Sequence, residues 1–235
     1  MFLTAGSARE LSGVMFKSFS DDGGIAMRKT FVYKCPVCGC PVKNRPWDEK
    51  DLTQAKYYSD GYPDSEIYPN YPALTECRMC QNIFLMSKKN LIGSTEEYRG
   101  TMQLSDMPYG GPVSNGEAYL NSLELCTTDK QRILLRTGAW WAFNRTYLRT
   151  KDIDIYRRKD YIDNCRILIK HYERSLSGDV LLAAEMYRNL GEFDKCKEMM
   201  NMYSRGMSYL RKQIIPACES GRIETFEIKP ERRRR

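Results

Sequence analysis

The sequence predicts an α+β protein in which a small N-terminal β domain precedes an all-α domain. Three observations predict it. Five of the nine cysteines fall in roughly the first third of the 235-residue chain, four of them as the pairs Cys35-x-x-Cys38 and Cys77-x-x-Cys80. Each pair adjoins a short run rich in β-branched and aromatic residues. From Ser114 onward, helix-capping signals and apolar residues at three- and four-residue steps replace the Gly, Pro and Tyr punctuation of the first half.

Residues 1–27 mix Ser, Gly and Asp without a sustained period and read as a mobile extension, with Met27 an alternative start of translation. The β domain is expected over 28–92. Its first strand-like run, Thr30-Phe31-Val32-Tyr33-Lys34, enters Cys35-Pro36-Val37-Cys38-Gly39. A Tyr- and Pro-rich stretch follows from Trp47 to Pro72, with turn signals at Asp60-Gly61, Tyr62-Pro63 and Tyr68-Pro69. The acidic run between Asp60 and Glu66 lacks the spacing of a calcium loop and reads as a polar turn. Ala73-Leu74-Thr75-Glu76 leads into Cys77-Arg78-Met79-Cys80, and Asn82-Ile83-Phe84-Leu85-Met86 supplies a second strand. Residues 93–113 are polar and turn-rich, and read as a linker.

The helical domain is expected over 114–220. Capping boxes pair Ser114 with Glu117 and Thr128 with Gln131, the latter ahead of Ile133-Leu134-Leu135 and Trp140-Trp141-Ala142-Phe143. Tyr161, Ile162, Cys165, Leu168, Ile169 and Tyr172 give one apolar face. Two shorter helices are expected at about 179–190 and 192–203, hinged at Gly191, and a last one at about 205–219 with Pro216 in its final turns. Residues 221–235 read as an edge strand or a basic tail.

Apolar residues make up 42% of the chain and charged residues 29%, a globular balance. No apolar run approaches the ~20 residues of a membrane span, and the opening residues lack a secretory pattern. A cytoplasmic protein is the expectation. The net charge is +7, of which Arg232, Arg233, Arg234 and Arg235 contribute four, so the remaining charge is modest.

Two Cys-x-x-Cys units separated by 38 residues carry the chemistry. Each unit can present two sulfurs to one ion from a tight knuckle, and four thiolates satisfy tetrahedral zinc. Pro36 restricts the first knuckle, and Gly39 supplies the positive φ that its exit needs. A redox dithiol would open a helix, which Gly39-Cys40-Pro41 cannot extend. One structural zinc held by Cys35, Cys38, Cys77 and Cys80 is therefore expected, in a zinc-ribbon arrangement. Cys40 either substitutes for Cys38 or stands by. The segment is too poor in Leu and Ile to fold well alone, and structural zinc contributes roughly 10–16 kcal/mol in small peptides. Cys126, Cys165, Cys196 and Cys218 read as small core residues. His171 is the only histidine, which excludes multi-histidine metal sites, and no phosphate-binding Gly-rich loop occurs.

Between Val180 and Tyr203, Ala183, Ala184 and Tyr187 precede Leu190-Gly191 and then Phe193, Cys196 and Met200. This pattern resembles one tetratricopeptide repeat (TPR), with Cys196 in place of the usual alanine and no closing proline; a generic helical hairpin is the alternative. Taken with Cys35, Cys38, Cys77 and Cys80, the layout resembles a group of uncharacterised bacterial proteins with a double-CxxC ribbon followed by TPR-like helices, a resemblance that implies no particular activity. The expected function is that of a non-enzymatic zinc-binding module with a protein partner. Nucleic-acid binding through Lys43, Arg45 and Trp47, with Tyr57 and Tyr58 as stacking residues, is the second reading. An enzyme acting between ribbon and helices is the third.

Overall fold

The computed structural model describes residues 30–44, 55–64, 73–174, 180–203 and 208–229. Among these, short strands come first and helices follow, an α+β order with a helical C-terminal part. The strands are β1 (Phe31–Lys34), β2 (Pro41–Asn44), β3 (Lys56–Tyr57), β4 (Pro63–Asp64), β5 (Leu74–Glu76), β6 (Ile83–Leu85) and β7 (Leu91–Ser94). The helices are α1 (Gly116–Asn121), α2 (Asp129–Thr150), α3 (Lys159–Tyr172), α4 (Val180–Asn189), α5 (Phe193–Tyr203) and α6 (Ser208–Glu219). No helix among the described residues is long and apolar enough to cross a membrane.

The chain forms two compact units. The first comprises the described residues of 24–48 and 68–139, and the second those of 49–67 and 140–235. In the first unit β1 is the centre of an antiparallel sheet ordered β2-β1-β7. Period-two alternation turns Val32 fully inward between the partly exposed Phe31 and Tyr33, while Lys34, on the same face as Val32, is exposed where the strand ends at the cysteine turn. The hairpin β5–β6 pairs Leu74 with Leu85 and Glu76 with Ile83. Each cysteine pair thus sits at the tip of an antiparallel hairpin, one between β1 and β2 and the other between β5 and β6.

The stretch 93–113, read from the sequence as a linker, ties these hairpins together. The Lys43 N–H donates to Pro108 O (2.9 Å) and the Gly110 N–H to Lys43 O (2.9 Å). The next residue, Gly111, exchanges both backbone bonds with Glu76 (2.8 and 3.0 Å). One short segment therefore bonds β2 on one side and β5 on the other, fixing the hairpins that carry the cysteines. A Cβ at Gly110 would lie 1.8 Å from Thr75 Oγ1. Gly110→Ala is accordingly expected to destabilise the first unit by about 1–3 kcal/mol through overpacking, measured as a lowered denaturation midpoint at saturating metal.

Helix starts largely follow the predicted capping chemistry, with one shift. Thr128 Oγ1 accepts from the Gln131 N–H (3.2 Å) and Gln131 Oε1 accepts from the Thr128 N–H (3.2 Å), the reciprocal box expected. At α1 the cap is Asn115 rather than Ser114: its side-chain oxygen accepts from the Glu117 N–H at 2.9 Å. Asn and Ser are comparable N-caps, so composition alone does not choose between neighbours.

The second unit includes residues 55–64, which the sequence reading assigned to the 28–92 domain. Asp60, fully buried at the turn between β3 and β4, explains the placement. Its carboxylate accepts from Asn144 Nδ2 (2.8 Å), Arg145 Nη2 (3.0 Å) and the Tyr62 N–H (3.1 Å), while its carbonyl accepts from Trp141 Nε1 (2.9 Å). The acidic turn is a structural anchor. Arg145 also lies over the rings of Tyr58 (4.0 Å) and Tyr62 (4.6 Å).

Helix α3 buries Tyr161, Cys165, Leu168, Ile169 and Tyr172, as the periodicity predicts. The α4–α5 turn closes with Gly191 N–H to Arg188 O (3.0 Å) and Glu192 N–H to Tyr187 O (2.9 Å), which ends α4 in a Schellman motif. Residues 222–229 run back across the unit without forming a strand. Ser59 N–H donates to Phe226 O (2.8 Å) and Ile228 N–H to Tyr57 O (2.8 Å). The basic tail and the extension over 1–27 lie outside the described residues.

Candidate metal centre

The two cysteine turns are built alike. In the first, the Cys35 N–H donates to Cys40 O (2.9 Å) and the Gly39 N–H to Cys35 O (3.0 Å). In the second, the Cys77 N–H donates to Asn82 O (2.9 Å) and the Gln81 N–H to Cys77 O (2.7 Å). Equivalent residues exit both turns at positive φ, Gly39 at 75° and Gln81 at 58°. Glycine adopts this conformation freely, whereas a side chain there costs roughly 1–2 kcal/mol. Gln81→Gly is therefore expected to raise the denaturation midpoint of the metal-loaded protein, and Gln81→Val to lower it below that of the unmodified chain.

The matched turns bring the four thiols together. Cys35 Sγ lies 3.6 Å from Cys80 Sγ, and Cys38 Sγ lies 3.6 Å from Cys77 Sγ. All four sulfurs fall within 4.8 Å of one another, so the group could hold a metal ion. A tetrahedral ion with thiolate bonds of ~2.3 Å spaces its sulfurs at about 3.8 Å, and the observed pairs match that spacing closely. Cys35 and Cys77 are buried against Val42 and Phe84, while Cys38 and Cys80 face solvent. The centre has one covered side and one open side.

The thiols differ electrostatically. Burial raises Cys35, but the backbone N–H groups of Cys38 and Val37 and the thiols of Cys80 and Cys38 bring it down to about 7. At Cys80 the Asn82 backbone N–H favours the thiolate; burial and the three neighbouring sulfurs oppose it and push the group up to about 12. Four thiolates this close would repel one another, and a cation held among them would allow all to be ionised together.

Cys40 packs beside the group, against Cys35, Val42, Cys77 and Phe84, and its thiol donates to Pro41 O at 3.5 Å. It is not one of the four mutually close sulfurs. Cys126, Cys165, Cys196 and Cys218 are buried in the helical parts, as small core residues are, with the Cys196 and Cys218 thiols hydrogen-bonded to each other.

Of the residues of the nucleic-acid reading, Lys43, Tyr57 and Tyr58 are among those described. Lys43 Nζ donates to Leu104 O (2.8 Å) and lies 4.6 Å from the centre of the Tyr109 ring. Arg45 and Trp47 lie outside the described residues. Tyr57 is buried, and Tyr58 is covered by Arg145. His171 occupies an exposed position on α3 beside Tyr172.

Sequence reasoning missed the supports of the centre rather than its ligands. The backbone ties at 108–111 and the left-handed Gln81 hold the turns in place. The Gly110-Gly111 pair was the available signal, since adjacent glycines permit close backbone approach. Compared with family models, curated proteins and solved structures, the chain matches none of them.

Proposed function

We propose that the chain is a non-enzymatic interaction protein whose N-terminal β unit is a zinc ribbon, held by one structural Zn2+ on Cys35, Cys38, Cys77 and Cys80. The carrying observation is the convergence of four thiols from two equivalent hairpin turns. Thiolate softness and tetrahedral spacing suit zinc, and four protein ligands leave no open position for water, so the ion's role is structural. In the helical unit, the α4–α5 hairpin supports a TPR-like reading. Ala184 and Cys196 are fully buried where a repeat requires small residues, and the Leu190-Gly191 turn joins the helices. Helix α4 buries nine of its ten residues, so a partner meets other surfaces.

Metal content is the test. Protein purified without a metal-binding tag is expected to carry one zinc per chain by elemental mass spectrometry, and a Cys77→Ser/Cys80→Ser variant none. A folded, reduced chain free of metal, or one carrying iron instead, would refute the assignment.

A further inference from the structure

We propose that the open side of the two knuckles is a docking surface for an acidic segment of a partner protein that also carries apolar side chains. The proposal rests on the interaction reading above and names the surface and the chemistry of its partner.

The third residue of each Cys-x-x-Cys turn is a large apolar side chain turned to solvent: Val37 is 68% exposed and Met79 67% exposed. Each directly precedes a solvent-facing cysteine, Cys38 or Cys80, whose sulfurs belong to one cluster within 4.8 Å. The two apolar tips therefore flank the same small centre. A zinc centre needs cysteines at the ends of each turn, but it places no demand on the third residue. Single exposed apolar residues are common on protein surfaces, but these two stand at equivalent positions beside one centre, and a partner that covers both accounts for the pairing.

Cations lie on the segments beside the two turns and within the second. Lys34, exposed at the end of β1, and Arg78, exposed on the second turn, are two of them, and the Lys34 side chain runs past Gly39. The Lys34 N–H donates to Asn90 O (2.7 Å), which brings the turn bearing exposed Lys88 and Lys89 against the first knuckle. Across 33–42 and 74–92 the only acid is Glu76, which is half-buried and backbone-paired with Gly111. Zinc with four thiolates carries a net charge of about −2, so four cations more than offset it and leave this end positive. An anionic partner is favoured by that charge. The same residues hold just two aromatics, buried Phe84 and partly buried Tyr33. The exposed ring nearby is Tyr109, on the segment that ties the hairpins, and Lys43 Nζ already lies over it at 4.6 Å, so a single ring is offered for stacking on bases. Apolar tips with nearby cations fit a peptide of mixed acidic and apolar character better than a nucleic acid.

The test uses the zinc-loaded full chain and a fluorescein-labelled synthetic peptide of Asp and Glu with Leu or Phe at every third or fourth position. Anisotropy is expected to show binding that weakens with added salt. Val37→Glu/Met79→Glu and, separately, Lys88→Glu/Lys89→Glu are each expected to weaken it at least about tenfold, as loss of central anchors or their steering charges does. The lysine pair lies outside both Cys-x-x-Cys turns, so its zinc content is expected to stay at one per chain and isolates docking from metal loading. Absence of peptide binding at low salt overturns the proposal, as does binding unchanged in both variants. Tighter binding of an oligothymidylate than of the peptide, lost in the same variants, overturns the protein-partner assignment.

Discussion

Cys77→Ser/Cys80→Ser is expected to unfold the first unit while leaving the second largely protected. The size of the effect follows from how little else holds the first unit's strands. They are three or four residues long, and the buried cluster beneath the centre comprises Cys35, Val42, Cys77 and Phe84, so half of that cluster consists of ligands. Structural zinc contributes roughly 10–16 kcal/mol apparent at neutral pH, as much as or more than the whole stability of a typical domain, roughly 5–15 kcal/mol. Hydrogen exchange should show amide protection lost across 31–44 and 74–94 and retained in α3 and α4. Chelation of the native protein should reproduce the pattern reversibly. Acid should do so too, because metal binding requires thiolates and falling pH returns protons to them. Unchanged protection after complete metal removal would refute a structural role for the ion.

The clustering of the four thiols was legible because its chemistry is local: a thiol pair separated by two residues needs one turn to point both sulfurs the same way. The Thr128–Gln131 box and the Gly191 hinge were legible for the same reason, since each partner is within a few residues of the other. What escaped was long-range. Asp60 looks like any polar turn residue, yet its partners Asn144 and Arg145 stand 84 and 85 residues away, and nothing near Asp60 announces them. Residues 108–111 look like punctuation because Gly and Pro usually are; their role is carried by backbone groups, which sequence does not distinguish. In helix α4 the sequence singles out the small and aromatic residues Ala183, Ala184 and Tyr187. The structure buries its polar side as well, with Glu185, Arg188 and Asn189 almost wholly removed from water. Polar residues report a solvent face only where they lack internal partners, and these have them.

That buried polar side makes Arg188→Ala the most damaging single substitution expected in the second unit. Arg188 Nε donates to Glu185 Oε2 at 2.8 Å, and its Nη2 forms an ion pair with Glu185 Oε1, both side chains essentially inaccessible. The same guanidinium donates to Arg222 O, Glu224 O (3.1 Å) and Ser59 Oγ (3.3 Å), and lies 5.0 Å from the Phe226 ring centre. Burial alone would favour a neutral guanidinium, but Glu185 outweighs it and holds Arg188 charged, above its ordinary range. Truncation strands the buried Glu185 carboxylate and at the same time takes a donor from the part-buried carbonyls of Arg222 and Glu224. Breaking a buried pair from one side costs about 3–5 kcal/mol, which should lower the melting temperature by more than ~10 °C in a unit of this size. A Glu185→Met/Arg188→Met variant separates the charge from the clamp. Removing both charges cancels the stranded carboxylate, so it should recover part of the loss, as apolar replacements of buried pairs do. The carbonyls of Arg222 and Glu224 still lack their donor, so recovery should be incomplete, with exchange at the Thr225 and Phe226 amides remaining fast. Full recovery would mean that Arg188 serves only to neutralise Glu185, and that the 222–229 segment is held by its other bonds.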